Sequence, residues 1–337
     1  MPPQKATEQY ARPELRHAFL AGAGYAASRL EALPMDASRR CYFRLPQAGL
    51  LLMDSPPLHE PIAPFLTVAL HLRELGLSAP HVLASDTKTG LALIEDFGQA
   101  TYTRLLGMGY AEQPLYELAV DALVHLHQAP RALKVDVPAY DLDALLAEAA
   151  LFIDWYAPLL VDKPTAEALR TPYLRLCGQL AEAVASRREA LVLRDFHVDN
   201  LMRLDGQDGV KACGLLDFQD ALIGSCAYDL MSLLEDARRD VPDSLRDHLL
   251  TRYLAQRPQV NAEQFNADYA VLAALRHAKV VGIFVRLAQR DGKQHYLAHL
   301  PRVIGLLDRA LHTEALLPLR QFLDQQLPGW SQPLPTH

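Results

Sequence analysis

The spacing of apolar residues changes repeatedly within the first hundred positions. Residues 60–76 place apolar side chains at intervals of three and four and end at Gly76, which is typical of an amphipathic helix with a glycine stop. Residues 41–45 alternate instead and contain two aromatics, which predicts a strand. The predicted elements are a helix at 11–33, strands at 41–45 and 50–53, a helix at 60–76, and strands at 82–84 and 91–94. A small, β-rich N-terminal part is therefore expected.

Helical spacing dominates from residue 101 onward, with one interruption. Three short strands are predicted near 191–193, 201–204 and 210–216. The predicted helices lie at 115–127, 142–156, 166–186, 227–238, 243–256, 266–289, 296–312 and 316–326. These elements predict an α+β fold in which residues 1–97 form a β-rich N-lobe and residues 98–327 form a large, mostly helical C-lobe. The proline-rich residues 328–337 are expected to be a loosely held tail.

Composition narrows the class of protein. The 337 residues contain 33 basic and 40 acidic side chains, and this net charge of −7 gives no basic excess for binding nucleic acid. The four cysteines have no metal-ligand spacing, which predicts reduced thiols. No apolar run reaches the length of a membrane span, and the polar N-terminus carries no signal core. A cytoplasmic protein with no nucleic acid, membrane or obligate protein partner is expected.

The candidate chemistry is concentrated in residues 191–202 and 214–220. An apolar triplet leads towards Asp195, Asn200 follows five positions later, and Asp217 closes a second apolar run. The same spacing of an acid, an asparagine and a second acid before phenylalanine occurs in kinases. Asp195 is placed to accept the proton of an attacking hydroxyl. Asn200 and Asp217 offer the hard oxygen ligands that Mg²⁺ prefers, so the pattern predicts a phosphotransferase centre.

Purely structural interpretations of these residues remain open one by one. Asp195 or Asp217 alone could belong to a turn, and an aspartate followed five positions later by asparagine occurs by chance. Their conjunction with the apolar runs favours the functional interpretation. His197 is expected to be a structural hydrogen-bond partner. Asp229, near the start of a predicted helix, either adds favourable charge at the helix N-terminus or, as we prefer, accepts hydrogen bonds from the backbone of the catalytic loop.

These motifs resemble those of the aminoglycoside phosphotransferase superfamily, which phosphorylates small molecules on a protein-kinase-like two-lobed fold. Within it, the likeness is greatest to the bacterial anomeric kinases of N-acetylmuramate and N-acetylglucosamine in cell-wall recycling. The similar blocks are 36–40, 42–44, 52–57, 76–80, 95–98, 193–200, 214–221, 227–229, 232–239, 282–287 and 290–293.

The resemblance implies an enzyme that transfers phosphate from ATP, with Mg²⁺, to the anomeric hydroxyl of an amino sugar. It implies that Asp195 is the catalytic base and that Asn200 and Asp217 are the Mg²⁺ ligands. Arg194, His197 and Asp229 would give structural support. The implied nucleotide-binding residues are Asp36, Ser38, Arg39, Arg40 and Arg44 near the phosphates, and Glu95, Asp96 and Phe97 in the hinge beside adenine.

Two positions depart from the superfamily pattern. Leu193 stands where a histidine usually begins the catalytic motif, so only the packing role of that histidine would be kept. The chain also has no lysine between Lys5 and Lys88, although the fold usually carries one on an N-lobe strand to bind the phosphates. Either ATP is held without this contact, or a nearby arginine supplies the charge. The candidates, which could also form a solvated hairpin edge, are Arg39, Arg40 and Arg44.

An N-acetyl sugar calls for an aromatic platform and polar groups. Trp155 and Tyr156 are the candidate platform, and Arg276 with Lys279, one helical turn apart, are the candidate ligands of a substrate carboxylate. Alternatively, these residues have purely structural roles in core packing or in surface ion pairs. Two other functions stay open: a kinase of another alcohol, such as an aminoglycoside or choline, and a nucleotide-binding pseudokinase. The intact Asp195 argues against the pseudokinase.

Overall fold

The computed structural model describes residues 12–34 and 39–332. The chain forms two compact units, and each is assembled from three separate segments of the sequence. The first comprises Met1–Ala122, Lys134–Asp136 and Val198–Asp220, and the second comprises Leu123–Leu133, Val137–His197 and Ala221–His337. The lobe boundary between residues 97 and 98, which rests on the change from strand-like to helical spacing, stays a prediction. The predicted phosphate-loop residues Asp36 and Ser38 lie outside the described residues.

A five-stranded antiparallel sheet organises the first unit. Its strands follow the order β1-β2-β3-β5-β4. They are β1 (Glu31–Ala32), β2 (Cys41–Leu45), β3 (Leu50–Asp54), β4 (Val82–Asp86) and β5 (Leu91–Glu95). Cys41, Phe43 and Leu45 alternate onto the buried face of β2, as the sequence pattern predicts, and Phe43 lies opposite Leu52 of β3. These residues belong to the apolar core of the unit.

Three helices and a short hairpin complete the first unit. The helices are α1 (Pro13–Gly22), α2 (Ala63–Glu74) and α3 (Tyr102–Gly107), and α4 (Glu112–Gln128) begins here. The hairpin joins β7 (Leu201–Arg203) to β8 (Cys213–Leu215), with a 3₁₀ turn at Gly209–Ala212 between them.

Gly90 ends the β4–β5 turn at φ +73°, where a Cβ atom would lie 2.0 Å from the carbonyl oxygen of Ser55. Only glycine fits that turn.

The second unit is mostly helical and is built around one long helix. That helix, α9, spans Ala262–Asp291 and buries side chains along most of its length. The other elements are α5 (Leu142–Leu151), a π-helical turn (Phe152–Tyr156), α6 (Lys163–Ala185), β6 (Ala190–Val192), β9 (Leu222–Gly224), α7 (Tyr228–Leu234), α8 (Asp243–Gln256), α10 (Leu300–Ala310) and α11 (Leu317–Gln326). Short 3₁₀ turns lie at Ala157–Leu159, Gln294–His299 and Glu314–Leu316. None of the helices described has the length and apolarity needed to cross a bilayer.

The structure confirms the predicted fold class and corrects several elements. The predicted helix 11–33 ends at Gly22, and Glu31–Ala32 is a strand. The predicted helix 142–156 leaves α-geometry after Leu151, and residues 210–212 are a 3₁₀ turn rather than a strand. The short elements α3 and β9 were not predicted, because three to six residues hold too little periodicity to identify.

The predicted loose tail at 328–337 is wrong for its first residues. Trp330 is buried, its carbonyl oxygen accepts the Tyr156 hydroxyl at 2.7 Å, and its indole Nε1 donates to Asp324 at 2.8 Å. A proline-rich composition predicts little regular structure, but it does not prevent a large aromatic side chain from packing in the core. Residues 333–337 lie outside the described part of the chain.

Candidate active site

The backbone of the loop that carries Asp195 is held by hydrogen bonds to a buried carboxylate, that of Asp229. β6 leads into Leu193, and Asp229 stands on the first turn of α7. The backbone N–H groups of Leu193 and Arg194 donate to the two carboxylate oxygens of Asp229, at 2.6 and 2.9 Å. Arg194 has a left-handed backbone, with φ +71°, which a non-glycine residue keeps only where the surroundings enforce it. The predicted hydrogen bonds from the loop to Asp229 are thus confirmed.

Leu193, which replaces the usual histidine, is buried beneath this loop. Its side chain therefore keeps the packing contribution of that position, while Asp229 orders the backbone. Burial raises the pKa of Asp229 to about 7, even though the two backbone N–H groups oppose the shift. His197 is also buried, and burial lowers the pKa of its imidazole, which favours the neutral ring expected of a structural residue.

A buried ion cluster, formed by Glu148, Arg194 and Lys279, lies beside the loop. The carboxylate of Glu148 accepts Lys279 Nζ at 2.8 Å and also pairs with the guanidinium of Arg194. The hydroxyl of Tyr140 donates to the second oxygen of Glu148. Burial by itself would raise the pKa of Glu148, but Lys279 and Arg194 hold it below its usual value. Glu148 therefore fixes two cations in the neighbourhood of Asp195.

The positive groups near Asp195 favour the ionised form of its carboxyl group. The residue is half-buried, and burial alone would raise the pKa of its carboxyl. Lys279, with Arg276 and Arg194, outweighs the burial and lowers this pKa. The carboxylate is consequently ionised at neutral pH and ready to accept a proton.

The two predicted metal ligands lie together at one end of the β7–β8 hairpin in the first unit. Leu201 pairs with Leu215, so Asn200 and Asp217 flank the same end of the ladder. Asn200 Nδ2 lies 3.4 Å from Asp217 Oδ2, and Asp217 has a left-handed backbone with φ +58°. Exchanging the amide oxygen and nitrogen of Asn200 would present two oxygens side by side. This donor set fits Mg²⁺, which takes few protein ligands and keeps water and phosphate as the others.

A cavity of about 670 Å³ in the first unit adjoins these ligands. Apolar walls come from Leu51, Ile94, Met202 and Leu216, while Asn200, Asp217 and residues 95–98 contribute polar groups. That volume and mixture of surfaces suit a nucleotide-sized ligand. The predicted hinge residues Glu95, Asp96 and Phe97 all line the cavity. Within the described residues, no cluster of three or more His, Cys, Asp or Glu side chains has metal-binding geometry.

The three arginines proposed to replace the missing lysine have different surroundings. Arg44 forms a two-pronged ion pair with Asp96 and also donates to the carbonyl oxygen of Gly98, at 3.1 Å, so it orders the hinge. Arg39 donates its backbone N–H to Glu60 at 2.8 Å. Arg40 is buried, lines the cavity, and lies 3.9 Å from the Glu60 carboxylate. Burial by itself would lower the pKa of Arg40, but neighbours that include Glu60 and Asp217 raise it.

Comparison with known proteins decides the family. The family described as "Phosphotransferase enzyme family" matches residues 29–275, which is most of the chain. The chain belongs to this family. The matched region contains Asp195, Asn200 and Asp217, and the family confirms the predicted kinase chemistry: the protein is an ATP-dependent phosphotransferase.

Two named relatives match most of the length of this phosphotransferase. It is 35% identical over 353 residues to an N-acetylmuramate/N-acetylglucosamine kinase of Caulobacter vibrioides, covering 94% of this chain and 97% of the relative. It is 36% identical over 289 residues to a kinase of the same name from Pseudomonas aeruginosa, covering 82% of each. The resemblance predicted from the motifs is thus confirmed.

Solved structures confirm the kinase-like fold. ADP-bound aminoglycoside phosphotransferase APH(2'')-Ib aligns with a TM-score of 0.58 at 15% identity, covering 89% of this chain and 98% of the other. A choline/ethanolamine kinase family protein from Mesorhizobium loti aligns with a TM-score of 0.56 at 17% identity, covering 94% and 98%. At such low identity these alignments support the fold alone.

The predicted substrate residues of the phosphotransferase differ in burial and in bonding partners. Tyr156 is wrong as a sugar platform, because its ring is fully buried and its hydroxyl is bonded within the core. Trp155 is half-buried. Lys279 is paired with Glu148, so the predicted carboxylate site of Arg276 and Lys279 loses one of its cations to the protein. Arg276 itself is buried on α9.

Two important acids of the phosphotransferase were not singled out from sequence. Glu148 is one acid within the apolar helix α5, and Glu60 lies three residues before the start of α2. An acid embedded in an apolar run was the available signal for Glu148, because a buried carboxylate requires a partner. Its partner Lys279 lies 131 positions away, which no local pattern could identify.

Proposed function

We propose that this phosphotransferase transfers the terminal phosphate of ATP to the anomeric hydroxyl of N-acetylmuramate and N-acetylglucosamine, as predicted from the motifs. The observation that carries the proposal is an ionised Asp195 on a loop held by Asp229. The names of the relatives from Caulobacter and Pseudomonas support the choice of acceptor. ATP is a cytoplasmic metabolite, so we also propose the predicted cytoplasmic location.

Each site residue has a defined part in the proposed reaction. Phosphoryl transfer requires an oriented nucleophile, a held nucleotide and compensation of negative charge. Asp195 accepts the proton of the anomeric hydroxyl as that hydroxyl oxygen bonds to the γ-phosphorus, while the bond from the γ-phosphorus to the β,γ-bridging oxygen breaks and ADP leaves. Asn200 and Asp217 would hold Mg²⁺, which would offset charge on the phosphates.

Arg40 is the residue that we propose in place of the missing lysine. It combines three properties: a buried guanidinium, a position on the wall of the cavity, and a nearby acid, Glu60, that restrains it. Arg44 already donates to Asp96 and to the Gly98 carbonyl oxygen in the predicted hinge, so we assign it a supporting role. A planar guanidinium can donate two parallel hydrogen bonds to a phosphate. Arg40→Ala should therefore raise the KM for ATP, whereas Arg29→Ala, at an exposed position, is the matched control and should change it little.

A substrate panel tests the proposed function. The purified protein is incubated with Mg-ATP and N-acetylmuramate, N-acetylglucosamine, choline or kanamycin, and ADP release is measured. We expect turnover of the two amino sugars. Turnover of choline or kanamycin alone would move the activity to another acceptor, and nucleotide binding without any turnover would favour a pseudokinase.

Variants of the loop test the role of Asp195. Asp195→Asn removes the proton acceptor and should lower kcat by on the order of 10²–10⁴-fold. Asp205→Asn, on the exposed turn after β7, is the matched control and should keep normal activity. Near-normal activity of Asp195→Asn would remove Asp195 from the role of base.

A further inference from the structure

Four buried polar side chains in the second unit each keep one atom without a hydrogen-bond partner among the described residues. The exposed fractions of the four side chains are no more than 6%. The atoms are Tyr228 Oη, Ser232 Oγ, Asp236 Oδ2 and Arg276 Nη1. Each unsatisfied buried polar atom costs about 1–3 kcal/mol, so a group of them calls for an occupant that supplies the missing bonds.

The four side chains come from two packed helices. Tyr228 and Ser232 lie one turn apart on α7 and share a face, and Asp236 follows directly after the end of that helix. α7 packs against α9, which carries Arg276. The other oxygen of Asp236, Oδ1, accepts the backbone N–H of Arg238 at 2.8 Å. This bond fixes the carboxylate so that Oδ2 is the oxygen left for another donor.

The group adjoins the loop of Asp195, because Asp229, next to Tyr228 on α7, accepts the backbone N–H groups of Leu193 and Arg194. On α9, Lys279 lies one turn from Arg276 and pairs with Glu148, which also pairs with Arg194.

Burial by itself would lower the pKa of Arg276, but Tyr228, Asp195 and Asp236 raise it. Arg276 in turn is one of the cations that lower the pKa of Asp195. A substrate whose hydroxyl meets Asp195 would therefore have its neighbouring substituent within reach of Arg276 and Asp236.

We propose that Arg276 and Asp236 bind the 2-acetamido group of the sugar. The inference rests on the proposed function and names the part of the substrate that this site recognises. Arg276 Nη1 donates to the acetamide carbonyl oxygen, and Asp236 Oδ2 accepts the acetamide N–H. One donor and one acceptor match the two polar atoms of an amide, and C2 adjoins the C1 hydroxyl that meets Asp195.

The acceptor in this pair distinguishes an amide from a carboxylate. A carboxylate has no hydrogen to give, so its oxygens would face Asp236 as a like charge and would leave Oδ2 without a partner. The cation that would offset this repulsion, Lys279, is already paired with Glu148. The site therefore suits the group that N-acetylmuramate and N-acetylglucosamine share, rather than the carboxylate that only the first carries.

Acceptors with and without the acetamide test the proposal. The kcat/KM values for N-acetylglucosamine and for glucose are compared in the wild type and in Arg276→Met and Asp236→Ala. We expect each variant to lower the value for N-acetylglucosamine by on the order of 10–100-fold, because the remaining partner is left unsatisfied. The loss for glucose should be much smaller, limited to what Arg276 contributes to the charge of Asp195. Arg276→Lys keeps one donor and should recover part of the loss.

The outcomes separate this inference from its alternatives. An equal loss on both acceptors would show that the cluster holds only water or supports the loop, and a loss confined to N-acetylmuramate would point to its carboxylate. If the variants fail to fold in a thermal melt, calorimetry on the wild type decides, since equal affinity for N-acetylglucosamine and glucose would overturn the proposal. A wild type that turns over neither amino sugar would refute the proposed function, and this inference with it.

Discussion

Glu148→Gln should be the most informative single change beside the catalytic loop. The substitution keeps the shape of the side chain and an oxygen for Lys279, but it removes the negative charge that Lys279 and Arg194 share. The side chains of Glu148, Lys279 and Arg194 are only 14%, 11% and 22% exposed, so water cannot replace the lost charge well. Two buried cations would then face only Asp195 and its neighbours.

The magnitude follows from the geometry of the cluster. Two unit charges about 4 Å apart attract each other by about 4 kcal/mol at an effective dielectric constant of about 20. Desolvation offsets much of this attraction in the intact pair, but removing one partner leaves the other charge uncompensated, at a measured cost of about 3–5 kcal/mol. We therefore expect Glu148→Gln to lower the free energy of unfolding by about 3 kcal/mol.

Urea denaturation of matched variants measures this effect. Glu182→Gln, on the exposed side of α6, changes the same residue type without a buried partner and should stay within about 0.5 kcal/mol of the wild type. Adding Lys279→Met to Glu148→Gln should recover part of the loss, because it removes one stranded cation. A loss below about 1 kcal/mol for Glu148→Gln would refute the argument, since an exposed ion pair contributes that much.

Three further predictions concern pH, packing and thiol reactivity. Because the pKa of Asp195 is lowered, the acid limb of kcat/KM should lie below about pH 4, and a limb above pH 6 would identify another group. Gly282→Ala should lower the free energy of unfolding, measured in urea, by more than 1 kcal/mol, because the added Cβ would lie 2.1 Å from the Leu151 carbonyl oxygen. The added Cβ of the control, Gly305→Ala, would meet nothing within 4 Å, so this variant should be neutral or stabilising. Burial raises the pKa of Cys177 and Cys213 to about 12, so iodoacetamide at pH 7 should modify these thiols only after denaturation, as mass spectrometry would show.

Local patterns were sufficient for most of the fold. The hairpin of β2 and β3 and the helix Asp243–Gln256 lie where apolar spacing predicts them, because a period of two or of three to four residues is written in adjacent positions. The errors fall where geometry changes within a segment, as at the π-helical turn after Leu151, or where an element is only three residues long, as in β9. At those places the packing partner, rather than the local sequence, selects the backbone conformation.

The candidate residues of the proposed chemical step were likewise within reach of the sequence. Asp195, Asn200 and Asp217 lie within 23 consecutive positions, so their spacing and the apolar runs before them can be recognised without a structure. The structure adds a cause for the ionised state of Asp195 and confirms that Asp229 holds the loop. It also distinguishes Arg40 from Arg44, which lie four positions apart and were equal candidates from sequence.

The sequence by itself determined the class of fold and the phosphotransferase family. Only the tertiary structure decided which charges lie beside the loop of Asp195, above all Glu148 paired with Lys279 and Arg194. Hydrophobic periodicity and catalytic spacing are short-range properties of the chain. Burial and Coulomb interactions depend on distance in space, and the partners that set them here come from α5, α7 and α9, helices far apart in sequence.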